Sequence, residues 1–70
     1  MTFGEWLRSK RHERKLTLQD VGDIVGVPKT TVSKWERDAC IMTIRFVGGI
    51  CKALNISPEE LIEAWEKKKK

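Results

Sequence analysis

Leu18–Arg37 reads LQDVGDIVGVPKTTVSKWER, and the rest of the chain is arranged around how this stretch folds. It predicts two short helices joined by a tight turn. Gly22 falls midway along the first helix, where a side chain larger than Ala would hold the second helix away. Gly26 falls just past its end, where the backbone turns with φ > 0 and glycine does so without strain. Val32 lies on the second helix and faces back onto the first. With Val21, Val25, Val27 and Trp35 it closes the corner between them. The opposite face of the second helix is then left with Lys29, Thr30, Thr31, Ser33, Lys34 and Arg37.

Working outward, Thr2 and Glu5 have capping-box spacing and open a first helix from about Phe3 to Arg14. Phe3, Trp6 and Leu7 supply its buried stripe, extended by the aliphatic stems of Lys10 and Arg14. Leu16 anchors the following turn. Thr17 caps helix 2, which runs to Val25 with Leu18, Val21, Ile24 and Val25 inward and Gln19, Asp20 and Asp23 outward. Helix 3 is expected from near Pro28 to near Arg37. Pro28 is acceptable in a first turn, but it has no side-chain oxygen to cap with. The free N–H groups there are open to a phosphate or water.

Asp38–Met42 forms a short, unusually apolar connection, after which Thr43 caps helix 4 over Ile44–Leu54. Its inward set is Ile44, Val47, Ile50, Cys51 and Leu54. Gly48 and Gly49 interrupt it at about 1 kcal/mol each relative to Ala, which close packing, a tolerated weakness or a hinge would explain. Asn55 is a left-handed C-cap. Ser57-Pro58-Glu59-Glu60 starts helix 5, which carries Leu61, Ile62, Ala64 and Trp65 and frays into Lys67–Lys70. The expected fold class is all-α, a compact bundle of five short helices. One domain spans 1–66, and 67–70 form a basic C-terminal tail.

Seventy residues make one domain with a small core, and 14 basic against 10 acidic residues give +4. Before Ile56 the chain has ten basic and six acidic residues. A modestly basic body suits a polyanion, and the outward face of helix 3 gives that charge an address. Lysines and hydroxyls of this size reach base edges and phosphates. Cys40 and Cys51 lack CxxC spacing and His12 is the single histidine, so no metal site and no disulfide framework is expected. Cys51 falls on an apolar helix face and Cys40 in a loop. No nucleophile is paired with a base, and no glycine-rich phosphate loop is present, which argues against an enzyme. With no signal peptide or membrane-length apolar run, the expected setting is a reducing cytoplasm.

At LRSKR, LTLQDVGDIVGV, TTVSKWER and KALNISPEEL, residues 3–65 resemble the phage repressor and Cro family, the xenobiotic-response-element class of helix-turn-helix regulators. Gly22, Gly26 and Val32 hold that family's spacing. The resemblance implies a sequence-specific transcriptional regulator, a repressor, acting without cofactor on double-stranded operator DNA. It also implies a homodimer that places helix 3 of each subunit in successive major grooves, with half-sites roughly 34 Å apart and a near-palindromic operator. Carried over by position, base reading falls on Lys29, Thr30, Thr31 and Lys34. Phosphate contact falls on Thr17 and Leu18 through backbone N–H, on Ser33 and Arg37, and on Thr43, Ile44 and Arg45. Arg11 and Glu36 match a family pair that ties helix 1 to the end of helix 3, and Arg11 can also touch phosphate. Leu18 stands where Gln is common, Pro28 where Ser or Thr caps, and Asp38-Ala39-Cys40-Ile41-Met42 where Gly and Pro are usual.

Blander readings stand beside these. Lys29 and Lys34 could be solvated surface, and Arg11–Glu36 could be purely structural. Ile41, Met42, Phe46, Ile62 and Trp65 could shield the core or form a dimer or partner surface. The alternative function is an antitoxin-type or other protein-interaction module whose apolar surface binds a protein partner. In either case the expected protein is bacterial or phage-encoded, cytoplasmic and, when bound, nucleoid-associated, with no membrane partner.

Overall fold

In the computed structural model the described residues are 2–39 and 43–68, excepting the side chain of Lys68. They form α1 (Phe3–Glu13), α2 (Leu18–Val25), α3 (Lys29–Glu36), α4 (Val47–Leu54) and α5 (Pro58–Lys68), with a 3-10 turn over Ile44–Phe46. The expected five-helix, all-α bundle is what these residues adopt. Cys40, Ile41 and Met42, three residues of the apolar connection, lie outside the described residues.

Local capping explains where most helices start. The Thr2 hydroxyl accepts from the Glu5 N–H and the Glu5 carboxylate accepts from the Thr2 N–H, completing the expected capping box. Thr17 and Asp20 repeat it at α2. At α5 the Ser57 hydroxyl accepts from the Glu60 N–H at 3.1 Å. The helix ends share a second device: left-handed residues follow α1, α2, α3 and α4 at Lys15, Gly26, Asp38 and Asn55. At Lys15 and Asp38 the amide of the next residue turns back to a carbonyl five residues earlier, at Arg11 and Lys34, sealing the helix end. Gly26 and Asn55 follow from the sequence, whereas Lys15 and Asp38 do not announce themselves.

The core is Phe3, Leu7, Val21, Val32, Trp35, Ile50, Cys51, Ala53, Leu54, Leu61 and Ala64. Burial pushes the Cys51 thiol pKa up, and Glu60 adds to the shift. At the α2–α3 corner, Val21, Val32 and Trp35 are buried and Val25 and Val27 pack against them. A Cβ on Gly22 would sit 2.5 Å from the Val27 carbonyl oxygen, so even Ala is too large there.

Several expectations are corrected. Ile24 is 45% exposed rather than inward, because α2 turns only Val21 and Gly22 fully into the core. Arg14 is the exposed C-cap of α1 rather than an extension of its buried stripe. Pro28, by contrast, is the N-cap of α3 without a side-chain capping bond, as its missing side-chain oxygen implies. Helix 4 does not begin at Ile44: Thr43 precedes a 3-10 turn and its side chain makes no capping bond, and α4 starts at Val47. Ile44 consequently points outward, 88% exposed. Gly49 is explained by packing, since a Cβ there would meet Val25 at 3.3 Å, while Gly48 faces open space. Among the described residues no helix is long and apolar enough to cross a membrane.

Candidate nucleic-acid interface

Helix α3 has two unlike faces. Val32 and Trp35 are buried, and Trp35 also meets Phe46 with ring centroids 5.5 Å apart. Lys29, Thr30, Lys34 and Arg37 are exposed, and Ser33 is half-exposed between them. At about 100° per residue these five positions fill one arc about 140° wide. Thr31 lies outside that arc, half-buried on the side of Trp35. The structure therefore brings together all of the α3 residues expected to touch nucleic acid except Thr31, which is turned toward the core edge. Among the described residues the ion pairs join Lys10 to Glu13 and Glu60, Arg11 to Glu36, and Lys67 to Glu63. None engages Lys29, Lys34 or Arg37, so their charges are open to an anion. Pro28 makes no side-chain capping bond, and no acid stands in the first turn, so the positive end of the α3 dipole is uncovered.

The back of α3 is fastened to α1 at two places. Arg11 Nε and Nη2 donate to the Glu36 carboxylate at 2.7 and 3.1 Å, and Nη1 donates to the Leu16 carbonyl at 2.9 Å. The two side chains are only 11% and 9% exposed. Arg11 is thus committed to holding α1, the α1–α2 turn and the end of α3 together, which favours the structural role weighed for it. The second place is Gly4. A Cβ there would overlap the Glu36 carbonyl, and its N–H donates to Asp38 Oδ1 at 2.9 Å. Sequence reading missed both residues of this contact. The one available signal was a glycine placed in the first turn of a helix, where its low propensity needs a packing reason.

The remaining phosphate expectations fall on helix starts. The Thr17 N–H is already donated to Asp20 Oδ2 at 2.9 Å, so Leu18, half-buried, offers the more open amide. Thr43, Ile44 and Arg45 are all exposed, and the Arg45 guanidinium lies 5.7 Å from the Phe46 ring centre.

Away from α3, Phe3, Ile44, Val47, Pro58, Leu61, Ile62 and Trp65 line an apolar groove of about 510 Å³. It gathers Ile62 and Trp65 from the expected surface cluster. Phe46 packs instead on Trp35.

A helix-turn-helix family model matches residues 7–61, which include α2, α3 and the Arg11–Glu36 pair. The chain belongs to this helix-turn-helix family. It is 31% identical over 61 residues to repressor protein C2 of Salmonella phage P22, covering 87% of this chain and 28% of that protein. The chain thus spans little more than a quarter of the curated relative it matches. The structure of the P22 c2 repressor in complex with a synthetic operator superposes with a TM-score of 0.80 at 31% identity, over 87% of this chain and 92% of that one. The restriction-modification controller protein C.AhdI from Aeromonas hydrophila gives a TM-score of 0.79 at 27% identity, over 84% and 89% of the two chains. The fold and family expected from the sequence are those found.

Proposed function

We propose that residues 1–66 are the DNA-binding domain of a sequence-specific transcriptional regulator, a repressor, with α3 lying in the major groove of its operator. The observation that carries this reading is the exposed arc of α3, whose cations have no acidic partner among the described residues while its back is pinned to the bundle. The resemblance to a repressor solved on an operator supports it. Lys29, Thr30 and Lys34 then read base edges, lysine donating to guanine O6 and N7. Thr31 reaches the same groove only from the edge of the arc. Ser33, Arg37, the Leu18 amide and the Thr43–Arg45 start hold phosphates, and Thr17 and Arg11 act mainly by fixing that frame. Lys67 and Lys68 close α5 rather than opening a tail, Lys67 pairing with Glu63, and no cofactor is required.

Two copies act together in this reading, with the apolar groove as their shared surface, because a seven-residue apolar lining on so small a domain favours burial against protein. Selection of bound duplexes from random DNA tests the whole. The expected product is one near-palindromic motif with half-sites roughly 34 Å apart. A folded protein that enriches no motif contradicts it. The same groove supports a second reading, an antitoxin-type module that covers a partner protein. Co-purification of an unrelated small protein with a chain that retains no DNA would favour that one.

A further inference from the structure

We propose that Asp38 is a positioning residue for the reading helix: by seating its carboxylate on the first turn of α1 it sets the direction of α3, and with it the placement of Lys34 against the base edges. This deepens the DNA-reading assignment and rests on it.

Asp38 does two things at once. As the left-handed residue after α3 (φ 59°), it donates its N–H to the Trp35 carbonyl, and the next amide, that of Ala39, reaches the Lys34 carbonyl at 2.9 Å. Asp and Asn tolerate this conformation better than most residues with a Cβ. Its side chain meanwhile accepts the Gly4 N–H at 2.9 Å across 34 positions of sequence. That amide belongs to the first turn of α1, where a helix has no internal partner to offer and where the dipole favours an anion. Thr2 serves the Glu5 amide, so Asp38 supplies what the local capping box leaves over. The absent side chain at Gly4 is what permits the approach, since any Cβ would strike the Trp35 and Glu36 backbone.

Two anchors are better than one for holding a direction. Gly4 and Arg11 are seven residues apart, two turns along the same side of α1, or about 10 Å at 1.5 Å per residue. Arg11 grips Glu36 and Gly4 grips Asp38, so the C-terminal end of α3 is held at separate points along α1. The corner with α2 holds the other end. Without the Asp38 contact, the Arg11–Glu36 pair is the one polar anchor left at that end, and a rotation of roughly 5° about the α2 corner, on an arm of about 12 Å, moves the far end of α3 by about 1 Å. Base-reading groups need their geometry held within about 0.5 Å. Lys34, near the released end, therefore suffers more than Lys29, near the corner.

Asp38→Asn and Asp38→Gly separate this role from the charge of Asp38, because both remove that charge. Asn keeps an acceptor for Gly4, whereas Gly keeps only the backbone conformation. Affinities for the selected operator and for random duplex are measured at one salt concentration, well below the melting temperature of every variant. We expect Asp38→Asn to keep the wild-type operator-to-random ratio within about twofold. Asp38→Gly is expected to lower it about tenfold, with the loss concentrated at the base pair read by Lys34. If Asp38→Gly does not fold, Asp38→Ser, whose hydroxyl stops one bond short of the Gly4 amide, takes its place. An unchanged ratio in the cap-less variant overturns the proposal. So does an equal loss on operator and random DNA, which marks a merely structural residue, or a loss in Asp38→Asn as large as in Asp38→Gly. A wild-type protein with no operator preference at all overturns the DNA-reading assignment itself, and this inference with it.

Discussion

Neighbouring residues at the start of α1 look onto two very different seams. Gly4 faces α3 across a closed one, where backbone touches backbone and the polar groups are paired. Phe3 faces the 3-10 turn and α5 across an open one, stacked edge-on against Trp65 and bordering an apolar groove. The closed seam uses directional contacts, a two-pronged Arg11–Glu36 ion pair and the Asp38 cap, which specify an orientation as well as a distance. The open seam has only non-directional apolar surface, which favours contact without specifying an angle. A small domain can therefore fix the orientation of one helix firmly while leaving another face held only by adaptable apolar contact.

The heaviest blow to the closed seam is Glu36→Ala, which strands a nearly buried guanidinium. Urea denaturation should show a loss of about 3 kcal/mol, with Arg11→Met/Glu36→Leu together costing much less. A small loss in the single variant would mean that the ion pair contributes little to the seam. Next is Gly4→Ala, expected to cost about 1–3 kcal/mol because the new methyl meets backbone that cannot turn aside. Gly48→Ala sharpens the contrast from the opposite direction. Its Cβ enters open space, so helix propensity alone should raise stability by up to about 1 kcal/mol, visible as a higher melting temperature. Finally, Ile62→Lys in the open seam should change folding stability by no more than about 0.5 kcal/mol. It should nevertheless shift the mass in sedimentation toward the monomer. A dimer unaffected by this change must use another face.

How much of this was written legibly in the chain follows the same division. The α2–α3 corner was readable because each of its determinants is local: a glycine needed for φ > 0, valines at helical spacing, a tryptophan one turn beyond Val32. The exposed face of α3 followed by subtraction. The seam between α1 and α3 was only half readable. Arg11 and Glu36 stood out through the family pattern, but Gly4 and Asp38 are matched only in three dimensions, 34 residues apart. Lys15 carries no composition signal for a left-handed turn, since the surrounding hydrogen bonds impose it. The start of α4 is not legible in the sequence, because Thr43 and the apolar residues after it imitate a helix start. A 3-10 turn there rotates Ile44 outward, a consequence of pitch that periodicity counting at 3.6 residues cannot register.

The sharpest test of α3 as a reading helix is the binding of Lys34→Ala, beside the unaltered protein, to every single-base-pair variant of the selected operator. Loss of about 1–3 kcal/mol of discrimination at one base pair per half-site, with the other positions still distinguished, is the expected result. Uniform weakening across all duplexes, or no change, would contradict the assignment of that face to the major groove.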